Sequence, residues 1–267
     1  MVMGATHAMS GAVVGLAVAD LLPTSWGGPT STPETFTFAA VCAGAALFPD
    51  LDTKQSTVSR SFGPVSRIFA GGVDNVATAY RNATRGKKDK KRRGGHRTMT
   101  HTALFALLTG VGVSALVIGF GRPAIIGVLF FFLGLALRGL AGNLAKEKGW
   151  VIVSIVAAVL SALTWHWYPT QAGSTGLGVA VVLGCVTHCI GDAITKEGVP
   201  FFAPFIPWRG ERWWEIKLPS FLSIRAGGPF EKVILGPGMT IALVALSVWV
   251  VDGAPQALYD AFVPPAP

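Results

Sequence analysis

Residues 102–142 read TALFALLTGVGVSALVIGFGRPAIIGVLFFFLGLALRGLAG. Two apolar runs, 102–120 and 123–142, flank a short break at Gly121-Arg122. Each matches the ~20 residues that a helix needs to cross a hydrocarbon core of about 30 Å. A backbone entering lipid must satisfy its own N–H and C=O groups, which selects helix. The composition agrees. Of 267 residues, 13% are charged and 51% hydrophobic, whereas soluble domains carry about a quarter charged residues. An ordinary cytosolic enzyme is therefore not expected, and so much apolar surface also excludes disorder. Three cysteines without framework spacing exclude a disulfide scaffold.

Outward from this hairpin, 150–168 and 233–251 are equally apolar, and 176–195 is apolar but carries His188 and Asp192. Segment 4–22 contains His7 and Asp20, and 36–51 is short and rich in Ala and Gly. Small residues in a span mark close helix packing, so both are counted. The expected fold is an all-α, multi-pass transmembrane helical bundle of about seven spans. The N-terminal segment lacks a basic n-region and is read as a retained first helix. Of the 22 Lys and Arg residues, 12 lie between Lys54 and Arg97 and six between Lys196 and Lys232. Arg138, Lys146 and Lys148 flank the connection between the fourth and fifth spans, leaving only Arg122 for the other face. Positive charge stays on the cytoplasmic side, so seven alternating spans place the N-terminus in the cytoplasm and the C-terminus outside. The chain reads as a single membrane domain, 1–267, with a basic cytoplasmic insert at 53–95 and an aromatic interfacial cytoplasmic segment at 196–232.

Ionisable groups at membrane depth are costly and mark functional sites. In this topology, His7 lies near the cytoplasmic start of span one. Asp50 and Asp52, in Phe48-Pro49-Asp50-Leu51-Asp52, lie where span two reaches the cytoplasm. His96 and His101 lie where span three leaves it, and His188 and Asp192 near the cytoplasmic end of span six. Four of the five histidines thus converge with three aspartates on one face. His188 and Asp192, four residues apart, share a helix face. Imidazole and carboxylate together suit zinc, manganese or iron. Seven donors exceed what one tetrahedral ion uses, so the reading is a divalent metal site, zinc or manganese, with two ions bridged by a carboxylate. Such pairs activate water against phosphoester bonds. Asp50 and Asp52 are read as bridging or proton-accepting catalytic carboxylates. His166, beside Trp165, Trp167 and Tyr168, is assigned to an aromatic belt at the outer interface. Cys185 and Cys189 flank His188 without a metal-site spacing and are read as packing residues.

These elements resemble the YdjM-like family of bacterial inner-membrane proteins, described as metal-dependent hydrolases. The resemblance rests on His7 followed by Gly11, the Pro49-Asp50-Leu51-Asp52 turn, and the His96-Arg97-x-x-Thr100-His101 block. It continues through His188-x-x-x-Asp192-x-x-Thr195-x-x-Gly198 and on to Pro200-Phe201. It implies a multi-pass membrane protein with His7, Asp50, Asp52, His96, His101, His188 and Asp192 as metal ligands. Arg97 would then be a fixed positive charge for an anionic substrate, since guanidinium matches phosphate oxygens bidentately. Glu231 is a weaker candidate. Two features depart from the family: Thr102 stands where a Ser is common, and the insert 53–95 is long.

The run Arg85 to Arg93 carries seven positive charges and one negative. Beside a membrane it is expected to contact anionic headgroups, at about 1 kcal/mol per basic residue. Nucleic acid is not expected, because no aromatic interleaving or recognised module accompanies the run. Upstream, Val65, Ile68, Phe69, Val73, Val76 and Tyr80 recur every three to four residues, as in a helix lying in the headgroup layer. Segment 201–222 holds seven Phe and Trp residues among prolines and is too broken to span. It is read as an interfacial roof over the site. The functional expectation is a membrane-embedded metal-dependent hydrolase acting on an ester or phosphoester at the cytoplasmic membrane interface, with a lipid or phosphoester as substrate. The alternatives are a non-catalytic membrane protein with a structural metal site, or a metal transporter. Transport favours ligands near the midplane, whereas these lie at one end.

Overall fold

A computed structural model of the chain describes residues 4–53, 56, 58–141, 149–164 and 175–251. The aromatic belt around His166, the end of the fifth apolar segment, Lys54, Lys146 and Lys148, and the C-terminal tail lie outside them. Among the described residues there are eight α-helices and no strand. They are α1 (Gly4–Ala19), α2 (Thr32–Ala45), α3 (Gly63–Ala83), α4 (Ala103–Phe120), α5 (Arg122–Ala141), α6 (Gly149–Thr164), α7 (Gly176–Ala193) and α8 (Gly236–Val250). A π-helical turn, Glu231–Leu235, leads into α8. Seven of the eight coincide with the seven apolar segments, and α3 is the amphipathic helix of the insert.

Helices α4, α5, α7 and the continuous Glu231–Val250 stretch are long and apolar enough to cross a membrane; α1 and α6 are apolar but shorter. Helix α2 is the shortest, at 14 residues, or ~21 Å at 1.5 Å per residue. It starts earlier than the apolar pattern because Pro33 occupies its first turn, where a missing N–H costs nothing. Glu34 there accepts hydrogen bonds from the Thr30 backbone N–H and hydroxyl. It ends at Ala45, before Pro49, and the chain tightens into the 3-10 turn Phe48–Asp52.

This short helix is the centre of the bundle. It packs against α1, α5 and α7, while α4 lies on α7, α6 on α5 and α8 on α1. Nine of its residues are buried, most of them small. In lipid, helices associate through close backbone approach rather than a hydrophobic drive. Gly44 abuts the Phe132 carbonyl, Gly184 the Cys42 carbonyl, and Gly15 the Ala39 backbone. Overpacking typically costs about 1–3 kcal/mol, so Gly44→Val should lower the thermal midpoint in detergent. Gly119→Val should leave that midpoint unchanged, because a side chain at Gly119 meets open space. The outer faces of α4, α6 and α8 expose Leu108, Ile118, Ile152, Ile155, Ile241 and Val244.

Helix α3 packs on three turns, Phe48–Asp52, Val58–Arg60 and Met99–His101. It buries Ser66, Ala70, Ala77 and Arg81 and exposes Val65, Ile68, Phe69 and Val76. The basic run after it is tethered through its single acidic residue. Asp89 accepts from the backbone N–H groups of Gly86, Arg212 and Trp213, and Arg81 lies over the Trp213 ring. Segment 196–232 forms turns joined by isolated bridges. It is clipped to the start of α4 by the Ala103 N–H, which donates to the Phe201 carbonyl at 2.8 Å.

Candidate metal centre

Four elements deliver the expected residues to one place. Helix α1 contributes His7 from its first turn. The Phe48–Asp52 turn contributes both aspartates. The Met99–His101 turn and the residues before it bring His96, Arg97 and His101. The last turns of α7 bring His188 and Asp192. His7, Asp50, Asp52, His101, His188 and Asp192 are each at most 3% exposed. The His96 side chain, 35% exposed, is the rim of the cluster.

Hydrogen bonding decides which nitrogens carry protons. His188 Nδ1 lies 2.8 Å from the Ala46 carbonyl, which can only accept, so Nδ1 is the donor and Nε2 of the neutral ring is a bare lone pair. Thr100 donates its hydroxyl to Asp52 Oδ2 at 2.6 Å. Its oxygen is then free to accept from His101 Nδ1 at 3.0 Å, which leaves His101 Nε2 bare as well. The two Nε2 atoms face each other at 3.1 Å. Asp50 Oδ1 lies 3.8 and 3.7 Å from them, and Asp192 Oδ2 lies 3.6 and 3.7 Å away. With both rings neutral, four acceptors converge on one point, a repulsive arrangement that a cation relieves. Asp50 Oδ1, both Asp192 oxygens and both His7 nitrogens are buried without a hydrogen-bond partner, although such groups are paired in folded proteins.

Two sets of three residues present one ligand atom each within 4.8 Å of one another: His7, His188 and Asp192, and Asp50, His96 and His101. They meet at the His101–His188 contact. The His7 and His188 rings stack with centroids 4.0 Å apart, and His7 Nε2 lies 3.5 Å from Asp192 Oδ1. Nitrogen and oxygen donors of this kind fit zinc or manganese.

Asp52 lies beside the second of these sets, bonded to His96 and to Thr100. Its Oδ1 lies 3.0 Å from the Thr53 hydroxyl and 3.1 Å from His96 Nδ1, and it is in neither set of three. Burial disfavours charge on His96, but the Asp52 hydrogen bond and charge outweigh it and hold its pKa above the ordinary imidazole value. Arg97 is buried. Its Nη2 is 2.7 Å from Asp192 Oδ1, and its Nη1 donates to Thr195 Oγ1 and the Gly198 carbonyl. The Asp192 contact is a charge pairing without hydrogen-bond alignment, since Nη2 has no aligned acceptor. Its backbone sits at φ +51°, a left-handed conformation unfavourable for a residue with a Cβ and held here by these contacts. Glu231 is fully buried and accepts from the Gly227 N–H at 2.6 Å; it joins neither set. Cys185 lies 3.6 Å from the Ala45 carbonyl, packed between helices.

Sequence reading did not single out Thr53, Thr100 and Thr195 as supports, although each stands one to three residues from a candidate ligand. Nor did it find Gly191, whose added methyl would press on the His7 ring. The Ala46 carbonyl has no sequence signal at all. The chain matches no curated protein and no solved structure. The family model of the YdjM inner membrane protein matches residues 1–144 and 149–253, nearly the whole chain, including every element that builds the cluster. With its apolar helices packed around buried imidazoles and carboxylates, the chain belongs to the YdjM inner membrane protein family and is a multi-pass protein of the inner membrane.

Proposed function

We propose that this protein is a membrane-embedded metal-dependent hydrolase. It acts on an ester or phosphoester at the cytoplasmic interface, in a bundle of seven spans with its N-terminus in the cytoplasm. The observation that carries the reading is the His101–His188 contact, two imidazole Nε2 atoms 3.1 Å apart with two carboxylate oxygens beside them. With both rings neutral, a bound cation makes that arrangement favourable. A bound zinc or manganese ion supplies Lewis acidity for attack of water on an ester.

The side chains divide the remaining work. His101, His188, Asp50 and Asp192 are the central ligands, and His7 and His96 complete two adjoining sets, enough for two ions. Asp52, with Thr53 and Thr100, holds His96 and His101 in their tautomers, as outer partners of metal-bound histidines do. Asp50 Oδ1, buried and bare, is a ligand or proton acceptor beside the pair. Arg97 fixes Asp192 and adds positive charge beside the acids. On the same face, Lys87, Lys88, Lys90 and Lys91 are exposed and contact anionic headgroups.

A second reading has its own support. Six of the seven candidates are nearly inaccessible, and closed sites are typical of structural metals. Metal analysis of the detergent-purified protein tests the site itself. The wild type should carry zinc or manganese, and Asp50→Ala and His188→Ala should each lose most of it. Unchanged metal in both variants removes the site. Metal that is bound but yields no turnover of any phosphoester or ester favours the structural role.

A further inference from the structure

Two apolar cavities of about 550 and about 480 Å³ adjoin along one side of the bundle, sharing Phe48, Phe69 and Thr109. The larger runs between α4 and α5 as far as Phe120 and Pro123, at the connection between these helices. The smaller is walled by α3 through Ile68, Val73 and Val76 and ends at Leu51 and Met99. Phe48 and Leu51 flank Asp50 in its turn, and Met99 opens the turn that carries His101. The groove thus starts among membrane helices and stops against the two turns that bear the candidate ligands. From Phe105 to Phe120 it follows 16 residues of α4, roughly 22 Å of helix, a length suited to a hydrocarbon chain.

From this continuity we infer that the occupant of the groove is an anionic membrane lipid with a phosphoester head, its tail between α3, α4 and α5 and its head at the Asp50 and His101 turns. This names the substrate class of the site and rests on the hydrolase reading above. Positive charge beside the block that carries His101 fits an anionic head: Arg92 Nη1 donates to the His96 carbonyl at 3.5 Å. The basic run is joined to the end of α3 by paired bonds between Asn82 and the Arg92 backbone, at 2.9 and 3.0 Å, and it exposes Lys87, Lys88, Lys90 and Lys91. Hydrolysis of such a lipid breaks one P–O ester bond. The water oxygen joins phosphorus, and a proton passes to the departing alcohol.

Gly127 and Gly72 line the two cavities, and a side chain at either meets open space. Gly127→Phe and Gly72→Leu therefore plug the groove without disturbing the fold or the ligands. The test uses the full chain in phosphatidylcholine nanodiscs containing phosphatidic acid with a photoactivatable group in its acyl tail. Labelling should concentrate on peptides of α3, α4 and α5. It should fall about tenfold in either plugged variant, because excluding even two methylenes costs that much, while metal content stays unchanged. The Asp50→Ala variant should still be labelled, which separates lipid binding from hydrolysis and from metal loading. Labelling spread equally over α6 and α8, equal labelling by a diacylglycerol bearing the same tail, or indifference to both plugs would each overturn the inference. If labelling behaves as expected but neither this lipid nor a soluble phosphoester is turned over, the hydrolase reading fails and the lipid site stands.

Discussion

Asp192→Ala is expected to abolish metal binding and to cost about 3 kcal/mol of stability, near the low end of the ~3–5 kcal/mol typical when one partner of a buried ion pair is removed. The carboxylate is fully buried, with Arg97 Nη2 2.7 Å from Oδ1 and the two histidine Nε2 atoms 3.6 and 3.7 Å from Oδ2. Its loss strands the guanidinium beside the metal site. The cost stays at the low end because Glu197, at 3.4 Å and largely exposed, remains as a second partner. Thermal unfolding in detergent measures it. The double variant Arg97→Met/Asp192→Leu should recover most of the stability, since it removes both charges, yet it should bind no metal. Metal retained in the double variant would show that Asp192 serves only the ion pair.

Chelation carries the other large effect. A ligand that binds only the folded state, present at a thousand times its Kd, stabilises by about 4.1 kcal/mol. Stripping the metal should therefore lower the unfolding midpoint of the wild type by several degrees. It also returns His101 and His188 to an unrelieved contact between lone pairs. His188→Phe should make the midpoint independent of chelator, because the facing nitrogen is gone while a ring still stacks on His7. If chelator empties the wild-type protein of metal without moving its midpoint, the central ligand assignment is wrong.

The helices differ in how openly the sequence announces them. Those from 102 to 142 are plain, because an apolar run of that length in lipid has no other way to satisfy its backbone. Helix α2 is faint. Its residues are small rather than strongly apolar, and nothing local says that they sit at the centre. What puts them there is the approach of Gly11, Gly15 and Gly184 from α1 and α7. The aspartates of the Phe48–Asp52 turn show the same divide. Both look like ligands in the sequence, yet one oxygen of Asp50 faces the histidine pair while Asp52 is bound by Thr53, His96 and Thr100.

What the linear order determined is the set of helices and the inventory of imidazoles and acids at their ends, because helix formation in a bilayer depends on local composition. The tertiary structure alone decided which lone pairs meet. His188 takes its tautomer from the Ala46 carbonyl, 142 positions earlier in the chain. It meets His101 from a third element, 87 positions away. Such contacts depend on how closely helices pack, and that distance is set by glycine and alanine facing one another across the bundle rather than by any residue's neighbours in sequence.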